Sequence, residues 1–99
     1  MLEARGHVYE LKEGVALRQV EDAGRYWVFN TRDGRHYSVN REAYQVIKSI
    51  AAEGVADVET LAELLAEEYE VTAEVAQKDV EQLLADLVNE GIALRRDKP

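Results

Sequence analysis

The sequence predicts an α+β fold of the winged-helix-like kind, in which a three-stranded antiparallel sheet is followed by three helices. Short β-rich runs alternate with turn residues up to about Asn40, and beyond it the apolar spacing changes from a period of about 2 to about 3.6. Helical segments then follow, with a short link between the second and the third. We expect residues 1–99 to form one domain.

The first half of the chain contains the predicted sheet. An alternating run at residues 15–20 predicts a first strand, and a turn at residues 21–24 follows it. The run at residues 26–29 is apolar at even and odd positions alike and is rich in aromatic side chains. We therefore expect a central strand covered on both faces. An Asp-Gly pair at residues 33–34 supplies a tight turn into a third strand at His36–Val39.

The second half contains the predicted helices, each of which follows a residue that can cap its N-terminus. The capping residues are Asn40, Asp57 and Thr72. Gly54 and Gly91 end the first helix, predicted at Arg41–Glu53, and the third. The positions expected to face the core are Ala43, Tyr44, Ile47, Ile50, Ala51, Leu61, Leu64, Leu65, Tyr69, Ala76, Val80, Leu83, Leu84, Leu87 and Val88. We expect residues 92–94 to form a short strand or simply to pack, and residues 95–99 to fray.

The net charge of −8 is concentrated in the helical half. Residues 1–50 carry 8 basic and 7 acidic side chains, whereas residues 51–99 carry 4 basic and 13 acidic ones. Because duplex DNA is bound through Lys and Arg that displace counterions, this distribution disfavours nucleic acid as a partner. No apolar run is long enough for a signal peptide or a membrane span, so we expect a cytoplasmic protein without a membrane partner.

No set of residues in the sequence predicts catalysis, metal binding or a cofactor. The chain has no cysteine, and its 6 glycines are dispersed rather than gathered in a phosphate-binding loop. His36 and Ser38 share a strand face and His7 is the other histidine, but no oriented base or ligand-spaced carboxylate accompanies them. We expect a protein that is not an enzyme and that holds no metal ion or cofactor.

The third predicted strand is a candidate binding site because of its place in the sheet. In a meander ordered one, two, three, it lies at the edge, where one row of backbone N–H and C=O groups is unpaired. An extended peptide can add to such an edge as a further strand. The alternative is an edge merely shielded by Arg35 and its polar neighbours, and the pattern leaves both open.

Beside its core-facing stripe, the third predicted helix has a face that mixes apolar and hydrogen-bonding side chains at three- and four-residue steps. These side chains are Val75, Asp79, Gln82, Leu83 and Asp86. Aliphatic groups beside carboxylates suit a peptide that has hydrophobic anchors and a basic side chain. The carboxylates of the second helix are instead expected to form a solvated face.

Several short segments, taken in order, carry a resemblance to a known family. They are YSVN at 37–40, AYQVI at 43–47, VETLAELL at 58–65, YEV at 69–71, Val75, Asp79-Val80, LLADL at 83–87 and Gly91-Ile92. Their order and spacing are similar to the PqqD-like family over about residues 14–94, which would be the core of the domain.

The resemblance implies a recognition element for ribosomally made, post-translationally modified peptides. Members hold the leader segment of a precursor peptide as an added strand between the third strand and the third helix. The length of the chain, without a fused enzyme domain, is most similar to leader-binding proteins of lasso-peptide pathways, which implies a leader peptidase and an ATP-dependent ring-closing enzyme as protein partners. The implied peptide-binding residues are Arg35, His36, Tyr37, Ser38, Val39, Val75, Lys78, Asp79, Gln82, Leu83 and Asp86.

Two other hypotheses stay open on the sequence. A winged-helix nucleic-acid-binding regulator would show the same order of helices, and Arg32 and Arg35 in the hairpin support it. A scaffold or dimerisation module would use Tyr26, Trp27 or Phe29 if they are exposed.

Overall fold

Strands give way to helices at Asn40, where the spacing of apolar residues predicts the change. The computed structural model describes residues 7–22 and 25–97. Its elements are β1 (His7–Leu11), β2 (Val15–Asp22), β3 (Arg25–Asn30), β4 (His36–Val39), α1 (Arg41–Glu53), α2 (Val58–Tyr69), α3 (Ala73–Asn89) and β5 (Ala93–Asp97). The predicted fold class, a three-stranded antiparallel sheet followed by three helices, is confirmed.

Strands β2, β3 and β4 form the predicted sheet in that order, so β4 is the third strand of the sequence prediction. The register places Trp27 opposite Arg18 on one side and Ser38 on the other. The predicted turn at residues 21–24 is partly wrong, because β2 continues to Asp22. Residues 23–24 lie outside the described part of the chain.

The β3–β4 hairpin turns where the Asp-Gly pair predicts it, with Gly34 at φ +77°. The buried side chain of Asn30 holds the turn together. Its Oδ1 accepts hydrogen bonds from the backbone N–H of Arg32 at 2.7 Å and of Asp33 at 3.2 Å. A side chain that satisfies two turn amides stabilises the turn in the way short polar residues commonly do.

Strand β3 is central, but the prediction that it is covered on both faces is wrong. Alternate residues of a strand point to opposite faces. Val28 is fully buried and Tyr26 stacks on Tyr44 of α1 with ring centroids 4.6 Å apart, so this face meets the helices. Trp27 lies on the other face and is 37 % exposed. An aromatic run fits either face of a sheet, and only the position of the helices decides which one is covered.

All three predicted N-caps are confirmed, because each capping side chain accepts a hydrogen bond from a backbone N–H three residues later. The distances are 2.9 Å from Ala43 to Asn40, 2.8 Å from Thr60 to Asp57 and 3.2 Å from Val75 to Thr72. Gly54 and Gly91 follow the first and third helices at φ +86° and +80°, a backbone region that glycine adopts without strain.

Each helix buries one face in a shared hydrophobic core, to which the sheet contributes Val28 and Val39. The buried helical side chains are Ala43, Tyr44, Val46, Ile47, Ile50, Val58, Leu61, Ala62, Leu65, Ala76, Val80, Leu84 and Leu87. Two predicted core positions are wrong: Ala51 is exposed and Val88 is 36 % exposed. Both lie at the margin of a helical stripe, where spacing alone does not fix burial.

A second sheet, which the sequence analysis missed, pairs β1 with β5 in antiparallel register. The prediction that residues 95–99 fray is therefore wrong for residues 95–97, while residues 98–99 lie outside the description. The backbone N–H of Tyr9 donates to the carbonyl oxygen of Ala56 at 2.8 Å, and the Ala56 N–H donates back at 2.9 Å. These bonds attach β1 to the α1–α2 connection. Within the described residues, no helix is long and apolar enough to cross a bilayer.

Candidate functional site

Strand β4 lies at an edge of the three-stranded sheet as far as the chain is described, with β3 as its neighbour. The Asn30 N–H donates to the Arg35 carbonyl oxygen at 2.9 Å. This bond identifies which residue pairs of β3 and β4 are hydrogen-bonded to each other. Bonded and non-bonded pairs alternate along antiparallel strands, so Tyr37 bonds to β3 through its backbone. The backbone N–H and C=O groups of His36 and Ser38 are directed to the opposite side. That side is where a further strand would add.

Helix α3 flanks this edge, and a groove separates the two elements. The Tyr37 hydroxyl donates a hydrogen bond to the carbonyl oxygen of Glu90 at 2.9 Å and so connects β4 to the end of α3. A depression of about 180 Å³ is lined by Ser38, Val39, Asn40, Ala43, Leu83, Asp86, Leu87 and Glu90. A second, of about 230 Å³, is lined by Asn40, Glu42, Asp79, Gln82 and Leu83. Because they share two lining residues, we name them together the β4–α3 groove.

The β4–α3 groove combines an apolar floor with acidic walls. Val39, Ala43 and Leu87 are buried, and Leu83 is partly buried where it packs against the core. The acidic lining residues are Glu42, Asp79, Asp86 and Glu90. No Lys, Arg or His is among the described residues that line it. The groove therefore favours an apolar side chain on its floor and a cationic group at its walls.

One side-chain contact fixes part of the acidic wall. The Gln82 amide Nε2 donates to Asp86 Oδ1 at 3.2 Å. The two residues are one helical turn apart, so their side chains lie on the same face of α3. This bond orients the Asp86 carboxylate along the wall of the groove.

The structure brings six of the proposed site residues together in the β4–α3 groove. They are Ser38, Val39, Asp79, Gln82, Leu83 and Asp86. Tyr37 lies beside them and makes its contact with Glu90. Val75 and Lys78 instead line a separate depression on α3, together with Glu74, Gln77 and Glu81. Arg35 lies at the hairpin, 3.9 Å from Asp33, and the His36 side chain lies on the outer face of the sheet.

Sequence reasoning missed part of the groove lining. The missed residues are Asn40, Glu42, Ala43, Leu87 and Glu90. A signal for Asn40 and Ala43 was present: because α1 begins directly after β4, its first turn has to lie beside the end of that strand. Leu87 and Glu90 follow Leu83 and Asp86 by one turn of helix, which places them on the same face.

Both arginines in the β3–β4 turn form ion pairs with carboxylates. Arg32 Nη2 lies 2.8 Å from Glu13 Oε2, and Arg35 Nε lies 3.9 Å from Asp33 Oδ2. These are the two arginines that support a nucleic-acid hypothesis, and neighbouring carboxylates offset their charge. Over the described residues, no group of three or more His, Cys, Asp or Glu side chains is arranged to hold a metal ion.

The pKa of Tyr69, at the end of α2, is raised above its ordinary value. Burial raises the pKa of its hydroxyl, and the carboxylates of Glu42 and Glu68 raise it further, while the guanidinium of Arg41 lowers it. The hydroxyl oxygen is buried and has no hydrogen-bond partner within the described part of the chain. A buried donor without a partner lowers the stability of a fold.

The model of a protein family described as coenzyme PQQ synthesis protein D (PqqD) matches residues 25–93 of this chain. The chain belongs to the PqqD family. The matched range extends from β3 through β4 and the three helices to the first residue of β5. It therefore contains every residue that lines the β4–α3 groove. None of the curated proteins matches this PqqD-family chain.

Three solved structures share the fold of this PqqD-family chain. A lasso peptide synthetase B1 complexed with the leader peptide has 22 % identity and a TM-score of 0.70, over 87 % of this chain and 96 % of that one. TbiB1 in complex with the TbiA(beta) leader peptide has 12 % identity and a TM-score of 0.68, over 85 % and 93 %. The PqqD truncation of Methylobacterium extorquens PqqCD, a functional and stand-alone RiPP recognition element, has 23 % identity and a TM-score of 0.71, over 88 % of each chain.

Proposed function

We propose that this PqqD-family protein binds the leader segment of a ribosomal precursor peptide without catalysing a reaction itself. The observation that carries the proposal is the position of β4, an edge strand that faces α3 across the β4–α3 groove. Two of the proteins with the same fold are described in complex with leader peptides, which supports the same role here.

The leader would enter the groove as a strand added to β4. Its backbone would bond to the groups of β4 that point away from β3, beginning with those of His36. Successive side chains of an added strand point to opposite faces. One set would therefore lie over Leu83 and the apolar floor, while the other set would remain in solvent.

Side chains of the groove would select among leader sequences. Burial of an aliphatic or aromatic leader residue against Leu83 would contribute about 1.5–3 kcal/mol before the entropy of ordering the peptide is subtracted. Asp79 and Asp86 lie on the same helix face and would favour a Lys or Arg in the leader. The preferred leader therefore combines a hydrophobic anchor with a basic residue.

Lasso-peptide maturation is the pathway we propose, with a leader peptidase and an ATP-dependent ring-closing enzyme as the protein partners. The protein would hold the leader and leave the core segment of the precursor free for these enzymes. The lining of the groove supports a purely binding role, because its described residues include no Cys, His or Lys. Nucleophilic catalysis needs an activated side chain beside an oriented base.

A backbone variant of β4 tests strand addition. The probe is a fluorescein-labelled synthetic leader segment of a lasso-peptide precursor, and its binding is followed by fluorescence anisotropy. His36 is the first residue of β4, a position where proline is compatible with a strand. His36→Pro removes an N–H that points away from β3, so we expect affinity to fall about fivefold, the loss of one hydrogen bond of about 1 kcal/mol.

His36→Ala is the matched control, because it removes the imidazole and keeps the N–H. We expect its affinity for the leader to stay close to that of the wild type. Equal affinities for the proline and alanine variants would show that the backbone of β4 does not hold the peptide. Circular dichroism melting curves of both variants establish that each is folded during the measurement.

A further inference from the structure

The outer face of the three-stranded sheet has an open depression of about 640 Å³, separate from the β4–α3 groove. Its described lining residues are Arg18, Trp27, Phe29 and His36. These described residues come from β2, β3 and β4. We name it the outer-face patch.

The outer-face patch consists of aromatic rings beside the Arg18 guanidinium. The Arg18 guanidinium carbon lies 5.9 Å from the centroid of the Phe29 ring, and the rings of Phe29 and His36 lie 6.0 Å apart. Trp27 is 37 % exposed on the same face. Exposed Trp and Arg in one concave patch are the residues that dominate binding energy in protein interfaces.

The charge of the outer-face patch indicates what it binds. Arg18 is cationic, and no Asp or Glu is among the described residues that line the patch. The β4–α3 groove has the opposite character, with its acidic walls. A ligand that suits the outer-face patch therefore has a carboxylate next to an apolar group, the reverse of the leader proposed for the groove.

We propose that the outer-face patch docks a partner protein through a surface segment that carries a carboxylate beside an aromatic or aliphatic side chain. The proposal rests on the proposed function and names its partner as an enzyme that processes the bound precursor. His36 joins the two surfaces: its side chain lies in the outer-face patch and its backbone faces the site of strand addition. An enzyme docked there would have a high effective concentration of precursor.

A second copy of this chain is a less suitable occupant. Each molecule has a net charge of −8, so two copies repel one another. A partner of different composition can present a local carboxylate without that overall repulsion. Self-association through the outer-face patch is therefore an outcome that the experiment has to detect.

The experiment uses the full chain saturated with the labelled leader segment, and two purified probes: the leader peptidase and the ring-closing enzyme that process that lasso-peptide precursor. Binding of each enzyme is measured by isothermal titration calorimetry for the wild type, Arg18→Glu and Trp27→Ala. We expect one of the enzymes to bind the wild type and to lose at least about tenfold in affinity for both variants. Leader affinity, measured by anisotropy, should change by less than about twofold because neither residue lines the groove.

Matched controls separate docking from general effects of charge and surface area. Arg95→Glu makes the same change in net charge at an exposed position on β5, and Val55→Ala removes an exposed apolar side chain outside the sheet. We expect both control variants to bind the enzyme with wild-type affinity. A loss for Arg95→Glu equal to that for Arg18→Glu would overturn the proposal, since net charge alone would then explain it.

Three further results would also overturn the proposal. They are the absence of binding by either enzyme, wild-type enzyme affinity in both patch variants, and self-association of the wild type in sedimentation that Trp27→Ala abolishes. Each of these leaves leader binding intact. Failure of the wild type to bind the leader is a different result, which removes the proposed function itself and with it this inference.

Discussion

The Tyr37 hydroxyl donates a hydrogen bond to the carbonyl oxygen of Glu90, 2.9 Å away and 53 residues later in the chain. Carbonyl groups in the last turn of a helix lack partners within that helix, so an outside donor is stabilising there. This bond fixes the separation between β4 and the end of α3. The bond therefore contributes to the geometry of the β4–α3 groove at that end.

Tyr37→Phe removes this bond and keeps the aromatic ring. We expect the free energy of unfolding to fall by about 0.5–1 kcal/mol, since the bond is accessible to solvent and its loss leaves groups that water can satisfy. Urea denaturation monitored by circular dichroism measures the change. An unfolding midpoint identical to that of the wild type would mean that the bond makes no net contribution.

Leu83→Ala tests the floor of the β4–α3 groove. Leu83 is partly buried and lines both depressions, so truncation should weaken leader binding by about 1–2 kcal/mol, or about five- to thirtyfold. Val88→Ala on the same helix is the control, because that side chain is exposed and does not line the groove. Val75→Ala should also bind normally, since Val75 lines a different depression. Equal effects at the three positions would contradict the assignment of the floor.

Asp79→Asn combined with Asp86→Asn tests the acidic wall. Removing two exposed carboxylates should weaken binding of a leader with a basic residue by about 1 kcal/mol at low salt and flatten its salt dependence. Glu63→Gln combined with Glu67→Gln is the control, because it changes the net charge equally on the exposed face of α2. Anisotropy titrations over a range of salt concentrations distinguish the pairs. The same salt slope for both would indicate that only net charge matters.

Tyr69→Phe is expected to raise stability, since it removes a buried hydroxyl without a hydrogen-bond partner among the described residues. The gain should be about 1 kcal/mol in urea denaturation at neutral pH. Burial raises the pKa of Tyr69 in the folded state above its ordinary value of about 10, so folding favours the neutral phenol. That contribution is present below pH 10 and is lost as the pH rises through the folded pKa.

The wild type should therefore lose more stability than Tyr69→Phe when the pH is raised above about 10. Unfolding midpoints at neutral and alkaline pH measure the difference. Tyr37→Phe serves as the comparison, because its hydroxyl has a hydrogen-bond partner and its removal should lower stability rather than raise it. A destabilised Tyr69→Phe would show that the hydroxyl has a favourable interaction after all.

Local features of the fold could be predicted from the sequence because their causes are local. Asn40, Asp57 and Thr72 cap helices through contacts that span three residues, and the turn at Gly34 requires a positive φ. The β1–β5 sheet could not be predicted in the same way. It joins residues such as His7 and Asp97 from opposite ends of the chain, and no turn between them sets the register.

The candidate site was predictable as a region rather than in detail. Helical spacing places Val75 and Leu83 on related faces, but only Leu83 lies beside β4, because the position of a strand along a helix is a tertiary property. The outer-face patch went unforeseen for a similar reason. Trp27 was expected to be covered but is exposed. The sequence pattern does not indicate which side of the sheet the helices occupy.

The acidic wall of α3 has a second consequence, for the protein before any peptide arrives. A bare sheet margin tends to pair with its counterpart on another molecule, the first step towards aggregation. Such a pairing of two β4 strands would bring the acidic α3 walls of two molecules closer together, where like charges repel. We expect these carboxylates to oppose self-association, so that the protein without a bound peptide stays monodisperse.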